Sequence, residues 1–362
     1  MSTTLRHIKN LDGVRGIAAL LVMLVHGGHG RFEGGWVGVD LFFVLSGYLI
    51  TSLLQNEYQK TDSIDFRKFY ARRALRLFPA LLIGILLCNM IWPYWFRTGG
   101  GNRTIANLAS LLYVNNCIPG NLSGPLGHLW SLSVEEHFYL FWPLIVSLFV
   151  FRIRFTSRLW FVGILIAVVS IFRIYVYRLG DPTFGLFALD SYRFTFCRID
   201  AILLGSGLAI YLKHSSKPTD SSKASPVALI CLLGLLAIVA TTIKRDNVLW
   251  NEGGFILTDL ICLLIVVTAI RLPDQWLLTN KLIRWVGTRS YGLYVYHIPI
   301  FFAFELFREP HSTSNLLIIT VLRFAVSGLV AELSYRYIEQ PILKHKKHFT
   351  VSSDQLALKP IE

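Results

Sequence analysis

Ten long runs of apolar residues divide the chain, and they limit its possible folds more than any other feature. They lie near residues 12–28, 36–55, 78–96, 128–150, 159–177, 197–213, 226–243, 255–271, 291–307 and 315–338. At about 1.5 Å of rise per residue, most are long enough to cross a hydrocarbon core of roughly 30 Å as helices. The runs are continuous rather than alternating, which argues against membrane β-strands. The sequence therefore predicts an all-α, polytopic membrane bundle of about ten transmembrane helices.

Charge and composition agree with a membrane protein and argue against a nucleic-acid partner. Only 16% of the residues are charged, whereas a soluble domain has about a quarter. The formal net charge of +13 is typical of nucleic-acid-binding proteins, but the basic residues lie in short loops between apolar runs, as the positive-inside rule expects. An anionic small-molecule donor is a second use for this charge. We expect the lipid bilayer as a partner and no nucleic acid.

The basic residues also predict the orientation. If the N-terminus is cytoplasmic, about twice as many Lys and Arg residues fall on the inner side as on the outer side. The inner set is Lys60, Arg67, Lys68, Arg72, Arg73, Arg76, Arg152, Arg154, Arg158, Lys213, Lys217, Lys223, Arg271, Lys281, Arg284, Arg289, Lys344, Lys346 and Lys347. No cleavable signal precedes the first span. The sequence predicts a multi-pass protein of the cell (inner) membrane with both termini in the cytoplasm.

Outside the spans, the sequence predicts little independent structure. Residues 1–343 are interpreted as one transmembrane domain, and residues 344–362 as a disordered cytoplasmic tail. Residues 214–225 have the composition of a flexible linker. The longest outer connection, 97–127, contains a weakly apolar stretch at 105–114 that is suited to the membrane interface. The five cysteines form no CxxC pair and are interpreted as small apolar residues, not as metal ligands or disulfides.

Arg15 and His26 lie in the first run, where polar side chains are costly. They are 11 residues apart, or about three helical turns, so both point to nearly the same face. That face is expected to look into the bundle, with the cation at the cytoplasmic end and the imidazole near the outer end. The alternative is that Arg15 reaches the inner interface and that His26 hydrogen-bonds a neighbouring helix.

Two further sites lie in the second run and just before the third. Asp40 is about one turn inside the outer boundary and has no local partner, so a packed cation or a helix terminus must supply one. Gly47 is expected to permit close helix approach. Arg73 and Arg76 are neighbours on one helical face, and guanidinium pairs suit phosphate oxygens. The alternative for the arginines is a cluster that only sets the topology.

The fourth run carries adjacent carboxylates at Glu135 and Glu136, at a depth similar to that of His26. A carboxylate that orients a histidine is the usual arrangement for base catalysis, so one of the two is a candidate partner of His26. Arg198 and Asp200 are interpreted as a buried structural pair. A structural role is also favoured for His297 and Glu339.

Seven segments in order resemble the acyltransferase-3 family of membrane proteins. They are LDGVRGIAALLVMLVH, GVDLFFVLSG, RRALRLFP, WSLSVEEHFYLFWP, FCRIDAILLGSGLA, SYGLYVYHIP and SYRYIEQP. Arg15 and His26 match the family's Arg/Lys-x10-His motif, and Arg73 and Arg76 match its Arg-x-x-Arg motif. His137 stands where many relatives carry Gln. The resemblance runs through nearly the whole chain.

The resemblance implies an enzyme that uses cytoplasmic acetyl-CoA to O-acylate a carbohydrate or glycolipid. It implies that Arg73, Arg76 and Arg15 hold the CoA phosphates and that His26 acts as base or acyl carrier, assisted by Glu136 or Glu135. Asp40 is grouped with these catalytic candidates. No metal and no permanently bound cofactor are expected, since a thioester is already activated.

The length of the chain resembles that of the stand-alone branch of the family, without the esterase-like domain of larger relatives. The expected acceptors are lipopolysaccharide O-antigen, exopolysaccharide or lipo-chitooligosaccharide. A macrolide acceptor and a transporter remain alternatives. For a transporter, the same polar face would line a path, and the arginine cluster would not need to bind CoA.

Overall fold

The computed structural model describes residues 8–27, 30–215, 226–244, 247–305 and 316–345. Within these ranges the helices are α1 (Lys9–Gly27), α2 (Val37–Thr61), α3 (Phe66–Gly99), α4 (Arg103–Leu111), α5 (Gly120–Ser123), α6 (Trp130–Leu148), α7 (Phe155–Arg178), α8 (Thr195–Arg198), α9 (Asp200–His214), α10 (Pro226–Thr242), α11 (Phe255–Arg271), α12 (Trp276–Thr279), α13 (Lys281–Thr288), α14 (Ser290–Glu305), α15 (Leu316–Ser334) and α16 (Gln340–Lys344). Short 3₁₀ turns cover Asn115–Cys117, Gly124–Leu129 and Val150–Arg152, and π turns cover Trp250–Gly254 and Tyr335–Glu339.

One small hairpin accompanies the helices. Strand β1 (Thr183–Phe184) pairs antiparallel with β2 (Phe187–Ala188), with Thr183 opposite Ala188. Gly185 has a φ of 62°, a left-handed conformation that glycine adopts without strain. Apart from this hairpin, the described residues are helical or irregular, so the predicted all-α class is confirmed.

Among the described residues, seven helical segments are long and apolar enough to cross a membrane, and the protein is a multi-pass membrane protein. They are Lys9–Gly27, Val37–Thr61, Phe66–Trp95, Gly120–Arg152, Phe155–Arg178, Trp250–Arg271 and Leu316–Lys344. Each of the other three apolar runs contains a shorter helix: α9 with 15 residues, α10 with 17 and α14 with 16. The run at 197–213 is interrupted at Ile199, between α8 and α9. The number of about ten spans is therefore not confirmed and stays a prediction.

The surface of the bundle is apolar where helices face outward. On α7, Trp160, Ile164 and Ile171 are 75%, 58% and 67% exposed. Charged side chains such as Asp40, Arg173 and Arg198 are buried inside. This distribution is the reverse of a soluble protein's, and it fits an exterior that lies in lipid.

Helix α2 packs against α9 with almost no space between the backbones. A Cβ atom on Gly47 would lie 1.8 Å from the carbonyl oxygen of Ile202, and one on Gly205 would lie 2.0 Å from that of Val44. The expectation that Gly47 permits close approach is confirmed. Similarly, a Cβ on Gly287 of α13 would lie 1.8 Å from the Asp12 carbonyl oxygen. These contacts fix α1 and α2 in the bundle.

Helix α3 is longer than the run at 78–96 indicates. It starts at Phe66 and continues through Pro79 and Pro93, so the prolines do not break it. The Asp65 side chain caps its first turn by accepting a hydrogen bond from the Lys68 backbone N–H (2.9 Å), which lowers the pKa of that carboxyl. An anionic cap is favourable at a helix N-terminus. The roughly three extra turns before residue 78 carry Arg73 and Arg76.

Several predictions fall on other parts of the chain. Of the linker at 214–225, only His214 and Ser215 are described, and of the tail at 344–362 only Lys344 and His345. The remaining residues of both segments lie outside the described ranges. The five cysteines are unpaired, and Cys88, Cys197 and Cys262 are buried, which agrees with their interpretation as small apolar residues.

Candidate active site

A cavity at one end of the bundle contains the three arginines that the sequence analysis singled out. Its volume is about 230 Å³, and it is lined by residues of α1, α2, α3, α6 and α14. The polar side chains in this lining are Arg15, Ser46, Arg73, Arg76, Ser131, Glu135, Tyr139, Ser290, Tyr291 and Tyr294. We call it the arginine cavity. Three guanidinium groups and one carboxylate give its wall a net positive charge.

Two of these arginines have no ionic partner among the described residues, since no carboxylate lies within 4.0 Å of Arg73 or Arg76. The Arg73 guanidinium lies over the Tyr139 ring, 4.3 Å from its centroid, and Arg76 is exposed to the cavity. Arg72, their neighbour, is paired with Glu57 at 3.2 Å. The helix therefore directs one arginine into a salt bridge and leaves two facing open space, where an anion can bind them.

The two adjacent glutamates belong to the arginine end. The Ser46 hydroxyl donates a hydrogen bond of 2.6 Å to Glu135 Oε1, and Glu136 interacts electrostatically with Arg73 and Tyr113. In the described structure neither glutamate contacts His26, so the expected pairing does not occur. Similar depth in the bundle did not predict a contact between the glutamates and His26, because Glu135 lies on the side of α6 that faces the arginines. A catalytic role for either glutamate stays a prediction.

His26 instead contacts a second histidine. Its Nδ1 lies 2.9 Å from the Val22 carbonyl oxygen and 3.1 Å from Nε2 of His297. In His297, Nδ1 donates to the Tyr294 carbonyl oxygen at 2.7 Å, so its Nε2 is the acceptor. These partners assign the proton of His26 to Nδ1. The lone pair on His26 Nε2 is then available to accept a proton.

A second cavity, of about 430 Å³, contains His26. Its lining consists of His26, Trp95, Gly120, Gly124, Pro125, Gly127, His128, Trp130, Asp190, Arg193 and Ile298. We call it the histidine cavity. The side chain of His26 is exposed there, although it lies at the inner face of α1. Arg15 and His26 share this face, as predicted, but they line different cavities.

The wall between the two cavities contains Tyr294. Its hydroxyl donates to the His128 carbonyl oxygen at 2.6 Å and lies 2.5 Å from the Ser131 hydroxyl oxygen. Tyr294 and Ser131 line the arginine cavity, whereas His128 lines the histidine cavity. A few hydrogen-bonded groups therefore separate the arginines from the imidazole.

Asp40 lies in a buried ionic cluster and lines neither cavity. It forms an ion pair with Arg198, while Asp200 pairs with Arg173 at 2.5 Å. A packed cation was expected for Asp40, and Arg198 confirms it. The predicted pairing of Arg198 with Asp200 is wrong, because Arg198 pairs with Asp40 and Asp200 pairs with Arg173. The catalytic role that the sequence suggests for Asp40 stays a prediction, whereas its burial in this cluster, away from both cavities, favours a structural role.

The remaining candidates have structural contacts. His297 is fully buried against α1, and Glu339 accepts a hydrogen bond of 2.9 Å from the Ser334 hydroxyl. Within the described ranges, no group of three or more His, Cys, Asp or Glu residues is arranged to hold a metal ion. Sequence reasoning did not single out His128, Trp95, Asp190, Arg193 or Tyr139. The only early signal was for His128, an imidazole at the start of the fourth apolar run.

The chain matches the sequence profile of a known protein family. The profile described as Acyltransferase domain, of the acyltransferase-3 family, matches residues 8–332. The chain belongs to this family. Arg15, His26, Arg73 and Arg76 all lie within the matched segment.

Several curated proteins resemble this chain along most of its length. The peptidoglycan O-acetyltransferase OatA of Listeria monocytogenes is 30% identical over 365 residues, which cover 94% of this chain and 56% of OatA. YrhL of Bacillus subtilis, a predicted peptidoglycan O-acetyltransferase, is 32% identical, over 93% of this chain and 55% of YrhL. A predicted O-acetyltransferase of Staphylococcus aureus strain COL is 30% identical, over 94% of this chain and 58% of its own length. The chain thus spans a little over half the length of these relatives. No solved structure matches it significantly.

Proposed function

We propose that this protein is a membrane O-acetyltransferase that moves an acetyl group from acetyl-CoA to a hydroxyl of a carbohydrate. The observation that carries the proposal is the placement of Arg15 and His26 on one face of α1. One residue lies in a cavity with two further arginines, and the other in a cavity with an accessible imidazole. Such a face suits an anionic donor at one end and a hydroxyl acceptor at the other.

The donor is assigned to the arginine cavity. Coenzyme A carries several phosphate charges, and guanidinium groups without carboxylate partners bind phosphate oxygens strongly. Arg73, Arg76 and Arg15 hold the phosphates, and the pantetheine arm points toward the wall that contains Tyr294. The Tyr294 side chain must move aside for the thioester to reach His26. The basic residues near this end, among them Arg67 and Lys68, support a cytoplasmic position in the cell membrane, with both termini inside.

The chemistry requires removal of one proton. Nε2 of His26 takes the proton of the acceptor hydroxyl as its oxygen attacks the thioester carbonyl carbon. The carbon–sulfur bond then breaks, and the proton passes from His26 to the departing CoA sulfur. A new ester and free CoA are the products. In an alternative order, Nε2 of His26 attacks the thioester first and the CoA thiolate leaves. The acceptor hydroxyl then attacks the acetyl-imidazole, its proton passes to the CoA thiolate, and the bond from the acetyl carbon to Nε2 breaks.

The acceptor class rests on the family and on the second cavity. The names of OatA and YrhL favour peptidoglycan, a cell-wall glycan, over the lipopolysaccharide, exopolysaccharide and lipo-chitooligosaccharide expected from the sequence. More generally, we propose that the acceptor group is a hydroxyl of a carbohydrate or glycolipid.

The test is transfer of labelled acetyl groups. Membranes that contain wild type, His26→Ala or the control His137→Gln are incubated with labelled acetyl-CoA and purified peptidoglycan, lipopolysaccharide, exopolysaccharide or a macrolide. We expect base-labile label on a glycan with wild type and with His137→Gln, and at least 100-fold less with His26→Ala. His137 bonds Thr195 Oγ1 at 2.6 Å, outside both cavities, so its replacement controls for loss of an imidazole.

Each other result contradicts part of the proposal. Equal label from wild type and His26→Ala would remove His26 from the chemistry. Label on the macrolide alone would replace the carbohydrate acceptor by a small molecule. No label with any acceptor, together with unchanged CoA affinity when Arg73 and Arg76 are both replaced by Gln, would favour a transporter.

A further inference from the structure

The histidine cavity carries a set of side chains that the transfer chemistry does not use. Besides His26 and His128 it is lined by Trp95, Trp130, Asp190 and Arg193. Trp95 belongs to α3, Trp130 begins α6, and the last two residues follow the β1–β2 hairpin. Three separate segments thus bring two indole rings, one carboxylate and one guanidinium to the same cavity as the imidazole.

Two of the three guanidinium nitrogens of Arg193 are hydrogen-bonded to neighbouring residues. Its Nε donates to Asp190 Oδ2 at 2.7 Å, and its Nη2 donates to the Ile118 carbonyl oxygen at 3.3 Å. Gly120 leaves room for the guanidinium, since a Cβ there would lie 3.2 Å from Nη2. In the part of the chain that the structure describes, Nη1 has no hydrogen-bond partner. A fixed donor therefore faces the cavity.

The Asp190 carboxylate holds Arg193 in position and is therefore not available to hydrogen-bond a ligand. Its Oδ1 accepts the backbone N–H groups of Tyr192 (2.9 Å) and Arg193 (3.0 Å), and its Oδ2 accepts Arg193 Nε. Three hydrogen bonds nearly saturate this carboxylate. The carboxylate also neutralises the guanidinium, so this wall has no net charge. The arginine cavity differs, because two of its guanidinium groups have no carboxylate partner.

The indoles supply an apolar surface beside these polar groups. Trp95 is half-buried and packs on Phe302, with ring centroids 4.7 Å apart. Trp130 packs on Tyr192, with centroids 4.9 Å apart. Packing of this kind holds rings rigidly. Trp95 keeps a partly exposed surface for a ligand, whereas Trp130 is only 7% exposed and also packs on Phe43, so it contributes little surface. The C–H face of a pyranose is an apolar, ring-sized surface, and its rim carries hydroxyl groups that accept hydrogen bonds.

From this geometry we infer that the histidine cavity binds one neutral pyranose unit of the acceptor. Trp95 contacts the sugar face, Arg193 Nη1 donates to a ring hydroxyl, and the neighbouring hydroxyl is directed to His26 Nε2. The inference rests on the proposed transferase function. It adds a place and a charge preference: the acceptor unit is uncharged, because Asp190 already pairs the cation of the wall.

Direct binding tests this site separately from catalysis. The purified chain in lipid nanodiscs is titrated with the neutral oligosaccharides chitotetraose and maltotetraose, and with a sulfated chitotetraose. We expect wild type to bind at least one neutral probe, and Trp95→Leu and Arg193→Gln to bind it at least 10-fold more weakly. The sulfated probe should bind at least 10-fold more weakly than its neutral counterpart.

Matched variants control for the substitutions themselves. Trp160→Leu removes an indole that is 75% exposed on α7, and Arg178→Gln removes a guanidinium that is 66% exposed and paired with Glu252. Both should bind the probe as wild type does.

Three results would overturn the inference. They are equal probe affinity in wild type, Trp95→Leu and Arg193→Gln; no binding of either neutral probe; and tighter binding of the sulfated probe. Acetyl transfer to glycan, measured in the same preparations, decides the proposed function independently. Transfer by a protein whose Trp95 and Arg193 variants bind the sugar normally would leave the function standing and place the sugar elsewhere.

Discussion

The Nδ1 atom of His26 lies 3.1 Å from the Nε2 atom of His297, although the two residues are 271 positions apart in the chain. The contact joins the first helix of the described bundle to α14. In the proposed mechanism this contact gives the fully buried His297 a role as a positioning residue. Together with the Val22 carbonyl oxygen, its ring holds the proton of His26 on Nδ1.

The first prediction concerns this pair. His297→Leu removes one of the two acceptors of His26 Nδ1–H and leaves only the Val22 carbonyl oxygen. The imidazole is then held less firmly, and kcat should fall about 10-fold or more. KM for acetyl-CoA should change less than twofold. His297→Gln supplies an amide oxygen that can accept the same proton, and it should retain more of kcat than the leucine variant. Steady-state kinetics on both variants checks this.

The leucine and glutamine variants also separate positioning from packing. A purely structural role for His297 would lower the yield of folded protein and leave kcat per folded molecule unchanged. That outcome would contradict the prediction.

The second prediction concerns the arginine cavity. Arg73→Gln and Arg76→Gln should each raise KM for acetyl-CoA about 10-fold or more, because a charge-assisted hydrogen bond contributes roughly 1.5–3 kcal/mol. Arg67→Gln is the matched control, since Arg67 is on the same helix and exposed but lines neither cavity. CoA binding by calorimetry, at two salt concentrations, measures the effect. Equal CoA affinity in all three variants would remove the donor site from this cavity.

The third prediction separates structure from catalysis at Asp40. Asp40→Asn removes the carboxylate that is paired with the buried Arg198, and breaking such a pair costs about 3–5 kcal/mol of unfolding free energy. The thermal midpoint in detergent should fall, while acetyl transfer per folded molecule should stay within twofold of wild type. The double variant Asp40→Leu with Arg198→Met should recover most of the stability. An unchanged midpoint with lost turnover would instead give Asp40 a direct catalytic role.

The fourth prediction uses the contact between α2 and α9. Gly47→Val places a side chain where a Cβ would already lie 1.8 Å from the Ile202 carbonyl oxygen. The backbones must separate, so we expect little folded protein in size-exclusion chromatography of the detergent extract. Gly163→Val is the control, because nothing lies within 4 Å of a Cβ at that position on α7. Normal yield of both variants would contradict the close packing.

The sequence predicts the helices of this fold well, and the reason is physical. A membrane span must be continuous, apolar and of a given length, so the pattern is present in the chain itself. The contact at Gly47 was also predictable, since a small residue in an apolar helix has few other uses. The extent of α3 was not, because its first turns are polar and depend on the Asp65 cap and on packing.

The sequence identifies several residues of the site but not which of them contact each other. Arg15, His26, Arg73 and Arg76 are visible as polar groups in apolar surroundings. The partner of His26 was not, because Glu135 and His297 lie on different helices whose rotation the sequence does not state. The same cause explains the exchange of partners between Arg198 and Asp200. Asp190 and Arg193 follow a hairpin, where no periodicity marks a functional side chain.

The wall that contains Tyr294 also has a consequence for the cell. The hydroxyls of Tyr294 and Ser131 and the His128 carbonyl group fill the space between the two cavities. In the proposed orientation, with the arginine cavity toward the cytoplasm, replacement of Tyr294 by a small residue would join the two cavities into one path, through which protons could leak. In the proposed enzyme this tyrosine would therefore be constrained by the energy stored in the membrane's ion gradients as well as by acyl transfer.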